Sequence, residues 1–158
     1  MTAEQLLARA RRIERDGRFD SEGEQLLAQL LEERDMLPIP QKAIGKYNVD
    51  MAAAESVAVE VLGGNWHSAK RTHAVRTPQI LDAGWHLIMV WNQKGTGPIT
   101  AGAADYIATF CEEIRWHPAL VRQYRVIGGG GELLASRCAD DDEFPLIPPS
   151  RRAARRRP

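Results

Sequence analysis

Residues 47–67, YNVDMAAAESVAVEVLGGNWH, contain two short runs typical of β-strands with a turn between them. Side chains alternate between the two faces of a strand, so Val49 lies on one face of the first run and Asp50 on the other. In the second run, three valines share a face and Glu60 points away from them. If the runs form a hairpin that turns near residues 54–55, Asp50 and Glu60 become direct cross-strand neighbours.

This pairing brings two like charges together. Directly opposed Cβ atoms lie about 5 Å apart, where two carboxylates destabilise the pair. A bound divalent cation would compensate, since the hard cations Mg²⁺ and Mn²⁺ take carboxylate oxygens as ligands. The alternative is an ordinary hairpin edge in which both side chains are solvated. The pattern therefore indicates a metal site at Asp50 and Glu60, with the solvated edge as the competing interpretation.

Composition sets only loose limits on function. The chain has 158 residues, which suits one domain with a real core, and its 21 acidic and 21 basic residues balance. Cys111 and Cys138 lie far apart without a CxxC spacing, which argues against a disulfide framework and against a structural zinc site. No apolar run is long enough to cross a membrane and the N-terminus lacks a signal-peptide pattern, so we expect a cytoplasmic protein without a membrane partner.

Apolar periodicity, caps and breakers predict an α/β fold. The helical segments are residues 3–17, a stretch that starts at Asp20 or Ser21, residues 68–83 and residues 100–116. The extended or strand-like runs are PIPQKAIGKYNVD, VAVEVLG, HLIMVW, RQYRVI and ELLASRC. The glycine run 128–131 is interpreted as a hairpin turn, because neither a Lys-Ser/Thr pair nor a helix follows it, and no nucleotide cofactor is expected. This order predicts a single domain with a mixed sheet and helices on its faces.

Further side chains extend the candidate site. Glu24 lies in the first turn of the second helix, where it would supply a third carboxylate or simply cap the helix. His67 follows a glycine turn and would act as an acid, a base or a phosphate ligand, or have a structural role at a helix start. A basic segment follows, containing Lys70, Arg71, His73 and Arg76. Such a segment suits a nucleic-acid backbone, although a solvated charged face has the same pattern.

Four blocks of the sequence resemble the very-short-patch-repair endonuclease group of the restriction-endonuclease-like PD-(D/E)XK superfamily. They are SEGEQLLAQLLEE, IPQKAIGKYNVDMA, VAVEVLGGNWH and RTPQILDAGWHLIMVWN. The resemblance covers residues 21–109 and implies a mixed sheet flanked by helices and a Mg²⁺-dependent DNA endonuclease. It implies metal ligation by Asp50 and Glu60, a preceding helix glutamate at Glu24, and a histidine at His67 that assists hydrolysis.

The chain departs from that group in several places. Leu62 occupies the position of the superfamily lysine, and His73 stands where relatives often have an aspartate. The zinc-binding cysteines of the mismatch-repair members are absent from the sequence. These differences argue against mismatch recognition. They also keep open a non-cleaving DNA-binding or assembly protein with a nuclease-like fold, and a regulatory interaction protein that acts through its basic C-terminus.

The sequence predicts three parts. Residues 1–19 form an N-terminal helix, residues 20–138 form the nuclease-like domain, and residues 139–158 form a disordered tail that is acidic, proline-rich and finally arginine-rich. The five arginines of SRRAARRRP would contact DNA phosphates without base specificity. The expected setting is the cytoplasm of a bacterium or of a phage-infected host cell.

Overall fold

The computed structural model describes residues 1–63, 66–93 and 97–149, without the side chains of residues 66–71. Within these residues the chain forms four helices and six strands. In chain order they are α1 (Ala3–Arg15), α2 (Glu22–Glu32), β1 (Ile39–Ile44), β2 (Tyr47–Ala54), β3 (Val57–Leu62), α3 (Trp66–Asp82), β4 (His86–Trp91), α4 (Ala101–Trp116), β5 (Gln123–Ile127) and β6 (Leu133–Cys138). The prediction of a single α/β domain with a mixed sheet is confirmed.

The six strands form one sheet in chain order, β1 to β6. β1, β2 and β3 are antiparallel neighbours, β3, β4 and β5 run parallel, and β6 returns antiparallel to β5. The two parallel connections contain α3 and α4, because parallel strands require a long crossover. All six residues of β4 are buried, as its continuous apolar sequence HLIMVW predicts for a central strand.

Each face of the sheet packs on its own apolar cluster. Helices α2 and α4 cover one face, where the buried side chains include Leu27, Leu31, Val59, Ile88 and Ile107. Helix α3 covers the opposite face, where they include Ile80, Leu81, Leu87, Met89 and Tyr124. The alternation of β3 divides its residues between the two clusters. The hairpin is therefore anchored on both faces, which fixes the positions of its polar side chains.

The glycine run 128–131 forms the predicted turn between β5 and β6. It also packs closely on the start of α4. A Cβ atom added to Gly129 would lie 2.3 Å from the carbonyl oxygen of Pro98, and one added to Gly131 would lie 2.3 Å from that of Gly102. Gly131 also has a positive φ of 87°. The run therefore serves backbone packing, because no other residue fits this approach.

Ala139, Phe144 and Leu146 pack on the domain, while residues 140–143 are exposed, so the prediction that disorder begins at residue 139 is wrong for the stretch 139–149. The ring of Phe144 meets the ring of Tyr124 edge to face, with centroids 5.4 Å apart. The Tyr124 hydroxyl donates to the carbonyl oxygen of Pro145 at 2.8 Å, and Leu146 packs against the α3-side cluster. We call residues 143–149 the C-terminal strap. Residues 150–158 lie outside the described part of the chain.

Helix length bears on the membrane expectation. Helix α3 has 17 residues and contains Pro78. In the described parts of the chain, no helix is both long enough and apolar enough to cross a bilayer.

Phe144→Ala should lower the free energy of unfolding by about 1–2 kcal/mol, because a half-buried aromatic ring loses its apolar contacts. Ile147→Ala is the matched control, since Ile147 lies in the same strap and is 42% exposed. Denaturant unfolding of the three proteins measures the difference. Equal stability of both variants and the wild type would show that the strap is not docked.

Candidate functional site

The hairpin of β2 and β3 places Asp50 opposite Glu60. Two cross-strand pairs set the register, Met51 with Val59 and Ala52 with Ala58. The pairing ends at Met51 and Val59, the register shifts between Ala52 and Ala54, and Asp50 and Glu60 lie one residue beyond the last pair. The strands turn at residues 55–56, close to the predicted position, and Ser56 adopts a positive φ of 61°. The two acids are therefore neighbours across the hairpin, but they lie outside its paired part.

The two carboxyl groups lie close enough for each to influence the pKa of the other. Asp50 Oδ2 also accepts from the backbone N–H of Val61 at 2.7 Å. Burial raises the pKa of Asp50, although the Val61 N–H opposes that rise. Burial also raises the pKa of Glu60 well above its ordinary value, and the charge of Asp50 adds to the rise. Burial thus disfavours the ionised form of both carboxyl groups unless a cation lies beside them.

Helix α3 brings Arg76 onto Glu60. The Arg76 Nη2 donates to Glu60 Oε1 in an ion pair. The same nitrogen donates to the carbonyl oxygen of Asn48 at 3.1 Å, and the guanidinium lies over the Tyr47 ring, 5.4 Å from its centroid. The sequence pattern predicted Arg76 as a DNA contact but gave no indication of this pairing. Its positive charge lowers the pKa of Glu60 and so partly offsets the effects of burial and of Asp50.

Glu24 reaches the same region from α2 and also caps that helix. Ser21 and Glu24 form a capping box, with each side chain accepting from the other's backbone N–H at 3.1 Å. Burial raises the pKa of Glu24, and the nearby charge of Asp50 raises it further. The second oxygen, Glu24 Oε1, is buried and has no hydrogen-bond partner among the described residues. The predicted capping role is confirmed, and the unsatisfied oxygen is consistent with the predicted third carboxylate.

His73 does not belong to a basic surface. It is buried in the interior, with 7% of its surface exposed. The distances are 2.9 Å from its Nε2 to the Phe144 carbonyl oxygen and 3.0 Å from its Nδ1 to Thr77 Oγ1. Because a carbonyl only accepts, Nε2 carries the proton and Nδ1 accepts from the threonine. Burial lowers the pKa of His73. The expectation that His73 contacts DNA is therefore corrected: it is a neutral side chain that anchors the C-terminal strap.

The other predicted side chains lie at the start of α3. His67 is the second residue of the helix, and Lys70 and Arg71 follow within its next turn. Their side chains lie outside the described part of the structure. The acid–base role of His67 and the phosphate contacts of Lys70 and Arg71 stay predictions.

A cavity of about 430 Å³ adjoins the Glu60–Arg76 ion pair on the α3 face of the sheet. Leu62 lines it, and Leu146 of the strap lines it as well. The remaining lining residues are Thr72, His73, Thr77, Ile80, Leu87 and Met89. Glu60 and Arg76 therefore border a concave surface, whereas Asp50 is not among the residues that line it.

The donor set suits a hard cation. Mg²⁺ is commonly held by one or two carboxylates together with waters and substrate phosphates, and Asp50 with Glu60 supplies such a pair. Across the described residues, no group of three His, Cys, Asp or Glu side chains is arranged to hold a metal ion. In the observed arrangement Arg76 neutralises Glu60 in the place of a metal. A cation at this pair would therefore have to compete with Arg76 for Glu60.

Comparisons with protein-family models, with curated proteins and with solved structures found no match to this chain.

Asp50→Asn should stabilise the protein, and the gain should grow as the pH rises. The pKa values of Asp50 and Glu60 are raised by folding, so the folded state favours the protonated pair and loses stability as the pH rises through those values. Removing one of two opposed carboxylates relieves a charge repulsion that destabilises the folded state by up to about 1 kcal/mol at high pH. The free energy of unfolding, measured between about pH 5 and pH 8.5, tests this.

Asp105→Asn is the control for this prediction. Asp105 is an exposed carboxylate that pairs with Arg34 on the other side of the sheet. This variant shows whether the loss of any carboxylate changes the dependence of the free energy of unfolding on pH in the same way. If the stability curves of Asp50→Asn and the wild type are parallel, the proposed repulsion is absent.

Proposed function

We propose that this protein is a Mg²⁺-dependent DNA endonuclease, with Mn²⁺ as an alternative cation, whose centre is the Asp50–Glu60 pair. The observation that carries the proposal is that two carboxyl groups are neighbours where the β2–β3 pairing ends, with Asp50 on the Val61 N–H and Glu60 on Arg76, and that burial raises both pKa values. Such an arrangement opposes folding when both groups are ionised. A site that binds a cation explains why the chain retains it. The resemblance to nucleases of the four sequence blocks, two of which contain Asp50 and Glu60, also supports the proposal.

The residues have separate roles in this proposal. Asp50, held by the Val61 N–H, is the principal metal ligand, Glu60 is the second, and Glu24 offers its unsatisfied oxygen as the third. A bound divalent cation would neutralise charge on the phosphate and lower the pKa of an attacking water. His67, which follows β3 at the start of α3, is assigned to proton transfer.

The C-terminal strap connects the proposed site with the basic tail. Leu146 lines the same cavity as Glu60 and Arg76. The chain from Leu146 to Arg151 spans at most about 18 Å, since an extended residue covers about 3.3–3.6 Å. By the same measure Arg157 lies at most about 40 Å from Leu146. The five arginines are therefore within reach of a DNA backbone bound at the acidic pair, which they would help to hold.

A second candidate is a non-cleaving DNA-binding or assembly protein with a nuclease-like fold. It is favoured by Arg76, which already neutralises Glu60, and by Leu62, which is apolar and buried where the superfamily has a lysine. In this alternative the acids and Arg76 form a structural network. A regulatory protein that acts through the tail would instead lose function on truncation and tolerate changes at Asp50. Cleavage assays separate these candidates.

The wild-type protein should cut plasmid DNA with Mg²⁺ or Mn²⁺ and not with EDTA. Asp50→Asn should lower the rate by at least about 100-fold, because it removes a carboxylate that would ligate the metal. Conversion of supercoiled plasmid to nicked and linear forms measures the rate, and Asp105→Asn is the folded control. A folded wild-type protein that leaves the plasmid intact would favour the non-cleaving alternative. Undiminished cleavage by Asp50→Asn would refute the assignment of the site.

Deletion of residues 150–158 should weaken DNA binding most at low salt and leave the rate at saturating protein nearly unchanged. Each phosphate neutralised contributes about −0.9 to the slope of log affinity against log salt. Loss of the five arginines should therefore make the slope less steep by up to about four units. Replacing them with five lysines keeps the charge and should preserve the slope. Equal slopes with and without the tail would show that it does not touch DNA.

A further inference from the structure

Arg76 is held firmly at the acidic pair. Its side chain is 22% exposed and that of Glu60 is 13% exposed, so their ion pair is largely shielded from water. The Asn48 carbonyl and the Tyr47 ring hold the guanidinium from β2. A shielded pair of this kind is stronger than an ion pair in open solvent. Arg76 therefore occupies Glu60 whenever no other cation is bound.

Glu60 already has a cationic partner in this arrangement. Its Oε1 accepts from Arg76 Nη2, and its carboxyl group lies beside that of Asp50. A divalent cation that binds both carboxylates would lie close to the guanidinium, and two positive groups at one carboxylate repel each other. Arg76 and the metal therefore compete for Glu60.

The Nε and Nη1 atoms of Arg76 differ from Nη2 in their hydrogen bonding. Its Nε and Nη1 donate no hydrogen bond to any residue in the described part of the chain. Arg76 also lines the cavity beside the site. A guanidinium released at this position presents a planar set of donors, the geometry that binds phosphate oxygens in pairs.

We propose that Arg76 is an internal counter-ion of Glu60 that a divalent cation displaces, after which the released guanidinium binds a phosphate of the DNA. This inference rests on the proposed function. It makes Arg76 a positioning residue that couples the two ligands: metal binding frees the phosphate-binding group, and phosphate binding frees the metal ligand. By linkage, each ligand strengthens the binding of the other by the same factor.

Arg76→Gln distinguishes this coupling from a structural ion pair. In the absence of DNA, the full-length variant should bind Mn²⁺ about tenfold more tightly than the wild type, the factor expected for loss of one partly shielded competing ion pair. Electron paramagnetic resonance measures the affinity in a titration with Mn²⁺ alone. The titration is repeated at several pH values, and the affinities of the two proteins are compared at the highest pH. Arg34→Gln is the matched control, since it removes the ion pair with Asp105 and should leave the affinity for Mn²⁺ unchanged.

Arg76→Gln should weaken the effect of Mn²⁺ on DNA binding, although it strengthens the binding of Mn²⁺ itself. Fluorescence anisotropy with a short duplex of nuclease-resistant phosphorothioate linkages gives the gain in DNA affinity on adding Mn²⁺. That gain should be several-fold smaller in Arg76→Gln than in the wild type. Arg76→Lys keeps the charge, so its affinity for Mn²⁺ should be close to that of the wild type. This second variant keeps the experiment informative if Arg76→Gln folds poorly. Unchanged or weaker Mn²⁺ binding by a folded Arg76→Gln protein overturns the proposal.

Failure of this inference is distinguishable from failure of the proposed function. If the wild type cuts plasmid DNA while Arg76→Gln binds Mn²⁺ like the wild type, the nuclease stands and the counter-ion role does not. If neither protein binds Mn²⁺, the counter-ion role is refuted, and plasmid cleavage by the wild type then decides separately whether the chain is a nuclease.

Discussion

The register of the β2–β3 hairpin is the constraint on which the rest of the site depends. The turn at residues 55–56 and the pairing of Met51 with Val59 place Asp50 and Glu60 as neighbours one residue beyond the paired part of the hairpin. A slip of one residue would move one acid to the other face of the sheet. The valines of β3 prevent that slip, because Val57 and Val59 are fully buried in the cluster beneath α2 and α4. Apolar packing on that face thus fixes two carboxyl groups in an arrangement that their own charges oppose.

The sequence predicted this arrangement well because strand alternation is a local property. YNVD and VAVEV reveal which side chains share a face, and the sequence length between them limits where the turn falls. HLIMVW likewise indicates a strand buried on both faces. The capping role of Glu24 followed from its spacing of three residues after Ser21. Each of these inferences needs only neighbouring residues.

The pairing of Arg76 and the burial of His73 could not be predicted from charge spacing alone. Spacing shows which α3 residues share a side but not whether that side faces water or the sheet. One available signal was overlooked: His73, Thr77 and Ile80 recur at the spacing of a buried helix stripe, and the structure buries all three. The partners of His73 in the strap are about seventy residues distant in sequence. The strap itself was missed because its prolines and acidic residues obscure Phe144 and Leu146, which complete the α3-side cluster.

The proposed account and its main alternative differ in what neutralises the acidic pair. In the nuclease a divalent cation does so and Arg76 moves to the substrate, whereas in a non-cleaving protein Arg76 stays on Glu60. Crystallography with Mn²⁺ tests this most directly, using the anomalous signal of the metal. The account predicts an anomalous peak between the Asp50 and Glu60 carboxylates, with the guanidinium of Arg76 turned away from Glu60. Crystals that show no peak at these carboxylates, with Arg76 still paired to Glu60 in the presence of abundant Mn²⁺, would contradict it.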